Sequence, residues 1–337
     1  MPKKKITIND IAKEAGVSRA LVSFILSNEA KGEKIYRVSD GTTRKVLDII
    51  RKYDYHPSDS ARRLRSGESG IIGVILSDIS NYFYAEISKH IVEWSYESEY
   101  TVIFCSTDED LTKLKHTYKF LCNKGVDGMI IVPPDGSEEL IKQYAKDTPI
   151  ILLDREIPGS GISCVILDNE KASYELVQNV AKEGYRHIEF ISYKTNLSNI
   201  KAREKGYVES MADLGLAENI RIHTPEYGNY EQTEAIMLDA AKRNVDALVF
   251  STHKMMLIGR KAIVNNRSKI KKDFSFSCFN NSETFDIYEK NMIFVQQPID
   301  QFGKRSVELL ESIIGRKSEG ERILLQPEVV TVHDKKF

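Results

Sequence analysis

The chain has 337 residues, of which 41% are hydrophobic and 29% charged, with a net charge of −1. These values are typical of a soluble globular protein with two or three domains. No apolar run reaches the roughly 20 residues of a membrane span, and the start MPKKKITIND lacks the apolar core of a signal peptide. The cysteines are far apart and the histidines show no ligand spacing. We therefore expect reduced thiols, a cytoplasmic location and neither a metal site nor a cofactor.

The charge is distributed unevenly along the chain. Residues 1–67 contain 15 Lys and Arg against 8 Asp and Glu, whereas the remainder has an acidic excess of eight. The basic segment also carries periodic apolar residues, which a solvated tail would lack. This combination favours a small domain that binds a polyanion.

A helix-turn-helix is predicted at the start of the basic segment. Thr7 is a candidate N-cap for a first helix, Gly16 permits the turn that ends it, and Ser18 caps a second helix within VSRALVSFIL, residues 17–26. The second helix of such a motif can lie in the major groove of DNA. A third helix is predicted from about Thr43 to Tyr53. Residues 58–70, SDSARRLRSGESG, have by composition alone the character of a charged flexible linker.

Residues 71–337 alternate between short apolar runs and helix-like segments. Predicted strands lie at 71–76, 101–105, 128–132, 150–153, 163–167, 187–192, 219–223, 246–251 and 274–279. Predicted helices lie at 82–98, 111–124, 138–146, 170–184, 201–214, 231–243 and 255–266. This pattern indicates two α/β lobes with parallel sheets and a ligand site at the carboxyl ends of the strands. Nucleotide-binding, nucleophile-elbow and metal-ligand motifs are absent, so we do not expect an enzyme.

Three segments carry a family resemblance: TINDIAKEAGVSRALVSFIL, YDYHPSDSARRLRSGESGIIGVILSDISNYFYAEI and KGVDGMIIVPP. From Thr7 to about Val332 the chain resembles the lactose/galactose repressor family of bacterial transcription regulators. The resemblance implies an α + α/β protein, with a helix-turn-helix domain at 1–57, a hinge helix and linker at 58–70, and a bilobed periplasmic-binding-protein-like body at 71–337. It also implies a homodimer on operator DNA and three crossings between the lobes. We place lobe 1 at about 71–162 plus 294–324 and lobe 2 at about 163–293 plus 325–337.

The resemblance assigns DNA contacts to residues of the first 65 positions. Arg19 and Ala20 match positions that select the operator, and Phe24 stands where the family usually has arginine. Phe24 has two interpretations, an apolar contact to DNA or packing into the domain core. Leu64 matches the hinge residue that wedges into a minor-groove base step. The complete predicted set is Thr7, Ser18, Arg19, Ala20, Ser23, Phe24, Ala61, Arg62 and Leu64.

The resemblance also places an effector in the cleft between the lobes. Arg203 matches an effector-holding arginine, and Tyr230 matches an aromatic stacking position. The complete predicted set is Asp78, Ser80, Asn81, Phe83, Asp154, Arg155, Arg203, Tyr230, Thr252 and Asn280. A sugar or sugar derivative is the first expectation for the small-molecule effector. Alternatives are an anionic metabolite, suggested by Arg155 and Arg203, or control by a partner protein. A sugar transport protein is a distant alternative, disfavoured by the basic helix-turn-helix.

Overall fold

The computed structural model describes residues 6–30, 38–55, 68–280, 292–314 and 320–332. Contacts divide the chain into two compact units, Met1–Ser69 and Gly70–Phe337. Within the described ranges, no helix is long and apolar enough to cross a membrane.

In its described residues, the N-terminal unit contains three helices: α1 (Ile8–Ala15), α2 (Arg19–Ala30) and α3 (Asp40–Lys52). Thr7 caps α1 as predicted, because its hydroxyl oxygen accepts the Asp10 amide while the Asp10 carboxylate accepts the Thr7 amide at 2.9 Å. Gly16 ends α1 in the left-handed conformation, with φ of 69°. The predicted helix-turn-helix is confirmed, and α2 extends four residues beyond the predicted stretch.

The core of this unit lies between the three helices. The side chains of Ile11, Val22, Ile25 and Val46 are completely buried. Since α2 contributes Val22 and Ile25 to this core, its opposite face remains toward solvent. The core therefore determines which residues of α2 a ligand can reach.

The second unit alternates strands and helices in the predicted order. Its first half contains β1 (Ile71–Leu76), α4 (Tyr82–Glu97), β2 (Thr101–Ser106), α5 (Leu111–Lys124), β3 (Gly128–Ile131), α6 (Glu138–Tyr144), β4 (Ile150–Leu153) and β5 (Cys164–Leu167). The second half contains α7 (Asn169–Lys182), β6 (Ile188–Ile191), α8 (Ser198–Asp213), β7 (Ile222–His223), α9 (Tyr230–Ala240), β8 (Ala247–Phe250), α10 (His253–Asn265), β9 (Ser275–Phe279) and β10 (Met292–Gln296). The chain then forms α11 (Ile299–Ile313), β11 (Arg322–Leu325) and β12 (Glu328–Val332).

These strands form two six-stranded sheets within the described residues. The first has the order β11-β5-β4-β3-β1-β2 and the second β12-β10-β9-β8-β6-β7. All pairs are parallel except β10 with β12, which is antiparallel. The first five strands of each lobe therefore repeat one topology, and the predicted pair of mostly parallel sheets is confirmed.

The sheets correct two of the predicted lobe boundaries. We assigned residues 163–167 to lobe 2, but β5 pairs with β4 in the first sheet, with Leu152 opposite Cys164 and Leu153 opposite Val165. We assigned residue 294 onward to lobe 1, but β10 pairs with β9 and β12 in the second sheet. Each sheet receives its fifth strand before the chain first leaves it, and the sixth strand, β11 or β12, is added later. The apolar sequence patterns before and after a crossing between lobes are alike. Only the hydrogen bonds between strands therefore show which sheet each strand joins.

The crossing of α7 and α8 is close because Gly206 lies at the contact. A Cβ at this position would overlap the carbonyl oxygen of Glu170 at the start of α7. The close approach holds α8 against α7, and α8 carries Arg203 one turn before Gly206. Backbone packing thereby positions a predicted site residue.

An ion cluster around the buried carboxylate of Glu189 lies beside β6 and β7 of the second sheet. The carboxylate of Glu189, only 5% exposed, contacts both Arg243 and His223, the latter at 2.7 Å from Nε2. Burial raises the pKa of Glu189, but the hydrogen bonds with His223 and Arg243 outweigh this effect and lower the pKa to about 2. Ionised Glu189 therefore stabilises lobe 2.

We expect Glu189→Gln to reduce the free energy of unfolding by about 2–3 kcal/mol at pH 7, because it leaves the half-buried Arg243 guanidinium without its anion. A depressed carboxyl pKa contributes stability above the unfolded-state value of 4.5, and this contribution is lost as pH falls through about 2. Urea denaturation between pH 7 and 3 should give a flatter pH profile for the variant. Glu139→Gln, at an ion pair whose carboxylate is 89% exposed, should change stability by less than about 0.5 kcal/mol. Equal losses in the two variants would contradict the role of Glu189.

Candidate functional site

The solvent-facing side of α2 presents most of the predicted DNA contacts together. Ser18, Arg19 and Ala20 are exposed at its first turn, and Ser23 is half-buried one turn later. The Ser18 hydroxyl oxygen accepts the Leu21 amide at 3.2 Å and thereby caps the helix. A helix N-terminus with an exposed arginine is suited to phosphate and base-edge contacts.

Phe24 lies on this exposed side of α2 rather than in the core. Its side chain is 40% exposed, whereas the neighbouring Val22 and Ile25 are completely buried. Of the two interpretations of Phe24, the structure therefore supports the one in which it faces outward. The hinge residues Ala61, Arg62 and Leu64 lie outside the described residues.

A cavity of about 550 Å³ lies between the two lobes of the second unit. Its lining comes from segments that follow β1, β2, β3 and β4 in the first sheet and β6, β8, β9 and β10 in the second. The carboxyl ends of parallel strands thus meet at this cavity, where the sheet topology predicts a ligand site. It lies where the sequence predicted an effector.

Eight of the ten predicted effector residues line this cavity, and two do not. The eight are Asp78, Asn81, Phe83, Asp154, Arg155, Arg203, Thr252 and Asn280. Asn81 and Thr252 also cap α4 and α10, by accepting backbone amides from Phe83 and Met255. Their two roles are compatible, because a helix N-terminus points into the cleft at each position.

Ser80 and Tyr230 are the two corrections. Ser80 does not line the cavity; its amide and hydroxyl both donate to Asp78 Oδ1, at 2.9 and 2.6 Å, and shape the turn before α4. Tyr230 begins α9, where its ring packs against the second lobe's core and its hydroxyl donates to Glu234 at 3.1 Å. The aromatic ring that lines the cavity from this segment is Tyr227, whose centroid lies 4.6 Å from that of Tyr193.

Asp154 connects the two lobes inside the cavity. It is 2% exposed and sits at the end of β4 with a left-handed φ of 66°. Its Oδ2 accepts the Tyr84 hydroxyl at 2.9 Å from lobe 1 and the Asn199 amide at 3.0 Å from lobe 2. Its Oδ1 is buried without a hydrogen-bond partner among the described residues. A buried carboxylate oxygen without a partner favours a ligand that donates a hydrogen bond.

Asn280 repeats this arrangement in the second lobe. It follows β9, which corresponds to β4 in the repeated topology, and it also has a φ of 66°. Its Oδ1, together with Oε1 of the neighbouring lining residue Gln297, is buried without a partner among the described residues. Left-handed φ values at residues other than glycine are concentrated at functional sites, and Asx residues tolerate them best.

Arg203 projects from α8 into the base of the cavity and is 4% exposed. Its Nε donates to Asn169 at 2.7 Å and its Nη1 donates to the Ser251 carbonyl at 2.6 Å. Its guanidinium plane lies 3.8 Å from the centroid of the Phe279 ring. Burial lowers the pKa of Arg203 below its ordinary value. These contacts fix the guanidinium rigidly beside the cavity.

Arg155 is equally buried but is paired with a carboxylate. Its two terminal nitrogens donate to the two oxygens of Glu109 at 3.0 and 2.7 Å, and one of them also donates to the Pro133 carbonyl at 2.9 Å. Burial lowers the pKa of Arg155, but interactions with Tyr84 and Glu109 outweigh it and raise the pKa above its ordinary value. The pair joins the ends of β2 and β4.

Further polar contacts bridge the rim of the cleft. Asp135 from lobe 1 accepts the Thr195 hydroxyl at 2.8 Å and the Asn196 amide at 2.9 Å from lobe 2. Asp78 and Lys254 form an ion pair of 3.5 Å between the lobes. Burial raises the pKa of Asp78, but hydrogen bonds from Ser80 and the charge of Lys254 keep the pKa below its ordinary value.

The sequence analysis missed several lining residues: Tyr84, Glu109, Asp135, Tyr193, Asn199, Tyr227 and Lys254. All of them follow strands or lie on helices beside strand ends, so the strand-end rule alone was a signal for Glu109, Asp135 and Tyr193.

A second cavity of about 420 Å³ lies along α7, α8 and β11. In the described part of the chain, no group of three His, Cys, Asp or Glu side chains has an arrangement that could hold a metal ion.

Comparisons with known proteins agree with this architecture. The family described as "Bacterial regulatory proteins, lacI family" matches residues 7–58, and "Periplasmic binding proteins and sugar binding domain of LacI family" matches residues 69–333. The fold and the matched domains thus define a DNA-binding transcriptional regulator. The chain belongs to the LacI family of bacterial regulatory proteins.

Several relatives are similar over almost the whole chain. The HTH-type transcriptional repressor PurR of Aliivibrio fischeri (strain MJ11) is 29% identical, over 96% of this chain and 97% of the relative. The HTH-type transcriptional regulator DegA of Bacillus subtilis is 28% identical, over 98% of both chains. The Lac repressor dimer bound to operator and the anti-inducer ONPF has a TM-score of 0.81 at 19% identity, over 97% of this chain and 98% of that one. A LacI family regulator from Silicibacter pomeroyi has a TM-score of 0.74 at 21% identity, over 96% and 98%.

We expect Arg203→Lys to lower the free energy of unfolding by about 1–3 kcal/mol. Lysine keeps the charge but loses the planar fork that donates to Asn169 and Ser251 and covers Phe279. Urea denaturation of the full chain measures this loss. Arg260→Lys, in α10 and outside the cavity lining, provides a control and should lose less. A stability equal to that of the unchanged protein would show that the contacts of Arg203 contribute nothing to folding.

Proposed function

We propose that this chain is a homodimeric transcriptional repressor whose operator affinity is controlled by a small molecule in the inter-lobe cavity. The observation that carries the proposal is the set of buried polar atoms in that cavity without partners among the described residues, namely acceptor oxygens on Asp154, Asn280 and Gln297 and the donor Nε of Arg155. Buried polar atoms without partners are destabilising unless a ligand or water satisfies them. The repressor role is further supported by the similarity to the PurR relatives, which are transcriptional repressors.

The effector that fits this cavity best is a sugar or sugar derivative. Hydroxyl groups donate and accept hydrogen bonds, which suits the Asp154 carboxylate and the Asn280 amide. The rings of Phe83, Tyr193 and Tyr227 offer apolar faces beside these polar atoms, as is typical of small-molecule sites. An anionic metabolite is less suitable because Arg155 is already paired with Glu109. A protein-only signal would leave the buried acceptors without a donor.

The DNA-reading element of this proposal is the exposed face of α2. Arg19 offers the bidentate hydrogen bonds that read guanine, and Phe24 offers an apolar contact suited to a thymine methyl group. Two copies of α2 would read two half-sites of a palindromic operator. The hinge of each subunit would add a Leu64 wedge in the minor groove between them.

A dimer is supported by apolar surface on both lobes. Val92 and Tyr96 of α4 are 48% and 83% exposed, and Leu257 and Val264 of α10 are 46% and 68% exposed. Exposed apolar side chains grouped on helices favour contact with another protein surface. A second copy of the chain would bury them across a two-fold axis.

We expect Arg19→Ala to change base preference at one position of each half-site, because a bidentate contact to guanine contributes about 1–3 kcal/mol of discrimination. The change is measured by selecting binding sites from randomised duplex DNA. The salt concentration is about 0.15 M, which is physiological ionic strength. The unchanged protein should enrich a palindrome.

Arg51→Ala is the matched control, since Arg51 is an exposed arginine of the same unit but lies on α3. It should keep the base preference of the unchanged protein. Binding without any enriched sequence, with a steep dependence on salt, would indicate phosphate attraction alone and would contradict sequence-specific repression.

We expect Asn280→Gly to abolish the response to the effector while operator affinity without effector is retained. Glycine keeps the left-handed backbone and removes only the amide that faces the cavity. The measurement is operator affinity with and without each member of a sugar and metabolite panel, together with the melting temperature, which bound ligand raises.

Asn219→Gly, outside the cavity, should respond like the unchanged protein. If no compound of the panel raises the melting temperature or alters operator affinity while a partner protein does, control by a small molecule is wrong. If Asn280→Gly responds normally, this cavity is not the effector site.

A further inference from the structure

The Glu109–Arg155 pair occupies the only lining positions, among the described residues, where a buried guanidinium meets a carboxylate in a bidentate pair. The Arg155 side chain is 7% exposed and the Glu109 side chain 36% exposed. Both terminal nitrogens of Arg155 are engaged by Glu109. The two terminal donors that a phosphate or carboxylate would use end-on are therefore already satisfied, and Nε is the remaining donor, buried without a partner among the described residues.

The other cations of the lining are also committed to protein partners. Arg203 donates to Asn169 and Ser251. Lys194 pairs with Glu226 at 3.3 Å, and Lys254 pairs with Asp78. Each cation of the described lining thus donates to a protein acceptor, and Arg155 Nε is the buried nitrogen among them without a partner.

Carboxylates outnumber cations around the cavity. The described lining contains six carboxylates, Asp78, Asp108, Glu109, Asp135, Asp154 and Glu226, against the four cations Arg155, Lys194, Arg203 and Lys254. Burial lowers the pKa of His253, which favours its neutral form. The remaining field is negative, and low-dielectric walls strengthen its effect on a charged ligand.

We propose that Glu109 is a specificity-determining residue that excludes anionic ligands by holding both terminal nitrogens of Arg155. The cavity then accepts uncharged polyhydroxylated molecules and rejects their phosphorylated or carboxylated counterparts. This inference rests on the proposed function in taking the cavity as the effector site. The anion selectivity itself is measurable without knowing the effector.

Glu109→Gln tests the role of the carboxylate with little change of volume. Glutamine keeps one acceptor for Arg155 but removes the negative charge, which leaves one guanidinium nitrogen and an uncompensated cation facing the cavity. The probe is inorganic phosphate, titrated into the full-length protein by calorimetry at constant ionic strength. We expect the affinity of Glu109→Gln for phosphate to exceed that of the unchanged protein at least tenfold.

Two further variants make the result specific to Arg155. Glu226→Gln also removes one lining carboxylate, but its partner Lys194 lies at the exposed rim, where the Lys194 side chain is 75% exposed. It should gain less than threefold. The double variant Glu109→Gln/Arg155→Gln should lose the gained affinity. Equal gains in Glu109→Gln and Glu226→Gln would mean that overall charge decides, and the proposal would be overturned.

A second measurement uses the unchanged protein, so that the proposal stays testable if the Glu109→Gln variant does not fold. Phosphate binding by the unchanged protein that protects the cavity, seen as a raised melting temperature at millimolar phosphate relative to chloride, would overturn the proposal. No such rise supports it. The failure of every neutral compound to alter operator affinity would instead refute effector control, a separate result that leaves the phosphate comparison intact.

Discussion

The buried carboxylate of Asp154 is the group on which the cavity depends, because it accepts hydrogen bonds from both lobes at once. Tyr84 reaches it from the first lobe and Asn199 from the second. A buried carboxylate requires such donors, since desolvation without them is strongly unfavourable. Its remaining oxygen faces no donor among the described residues. The same group thus joins the lobes and favours a ligand.

Around Asp154, the repeated topology of the two lobes brings matched positions to one cleft. Asp154 after β4 and Asn280 after β9 have the same left-handed backbone, and their backbone amides donate equivalent hydrogen bonds to the carbonyls of Val165 and Val295. A ligand between them contacts both lobes. Under the proposed function, any difference in the ligand's affinity for two lobe arrangements would become a coupling free energy between the cavity and the DNA-binding unit.

Pairing inside the cleft decides which charges a ligand encounters. Arg155 and Arg203 suggested an anion site when considered by residue type, but in the structure each guanidinium already has protein acceptors. The acceptors come from Glu109, 46 residues before Arg155, and from Asn169 and Ser251, 34 and 48 residues from Arg203. Residue type therefore indicated that both arginines line the cavity, while the electrostatic character of the cavity depended on distant partners.

The sequence by itself determined the helix-turn-helix and the strands β1 to β9, because local signals carry them, whereas β10, β11 and β12 were not predicted. Thr7 and Gly16 mark the ends of α1, and strands covered on both faces form continuous apolar runs such as IIGVIL. It also located eight cavity residues through strand ends and family resemblance. Only the tertiary structure decided that β5 belongs to the first sheet and β10 to the second, that Tyr227 rather than Tyr230 faces the cavity, and that Glu109 holds Arg155. These outcomes depend on hydrogen bonds and packing between residues far apart in the chain, for which local patterns contain no information.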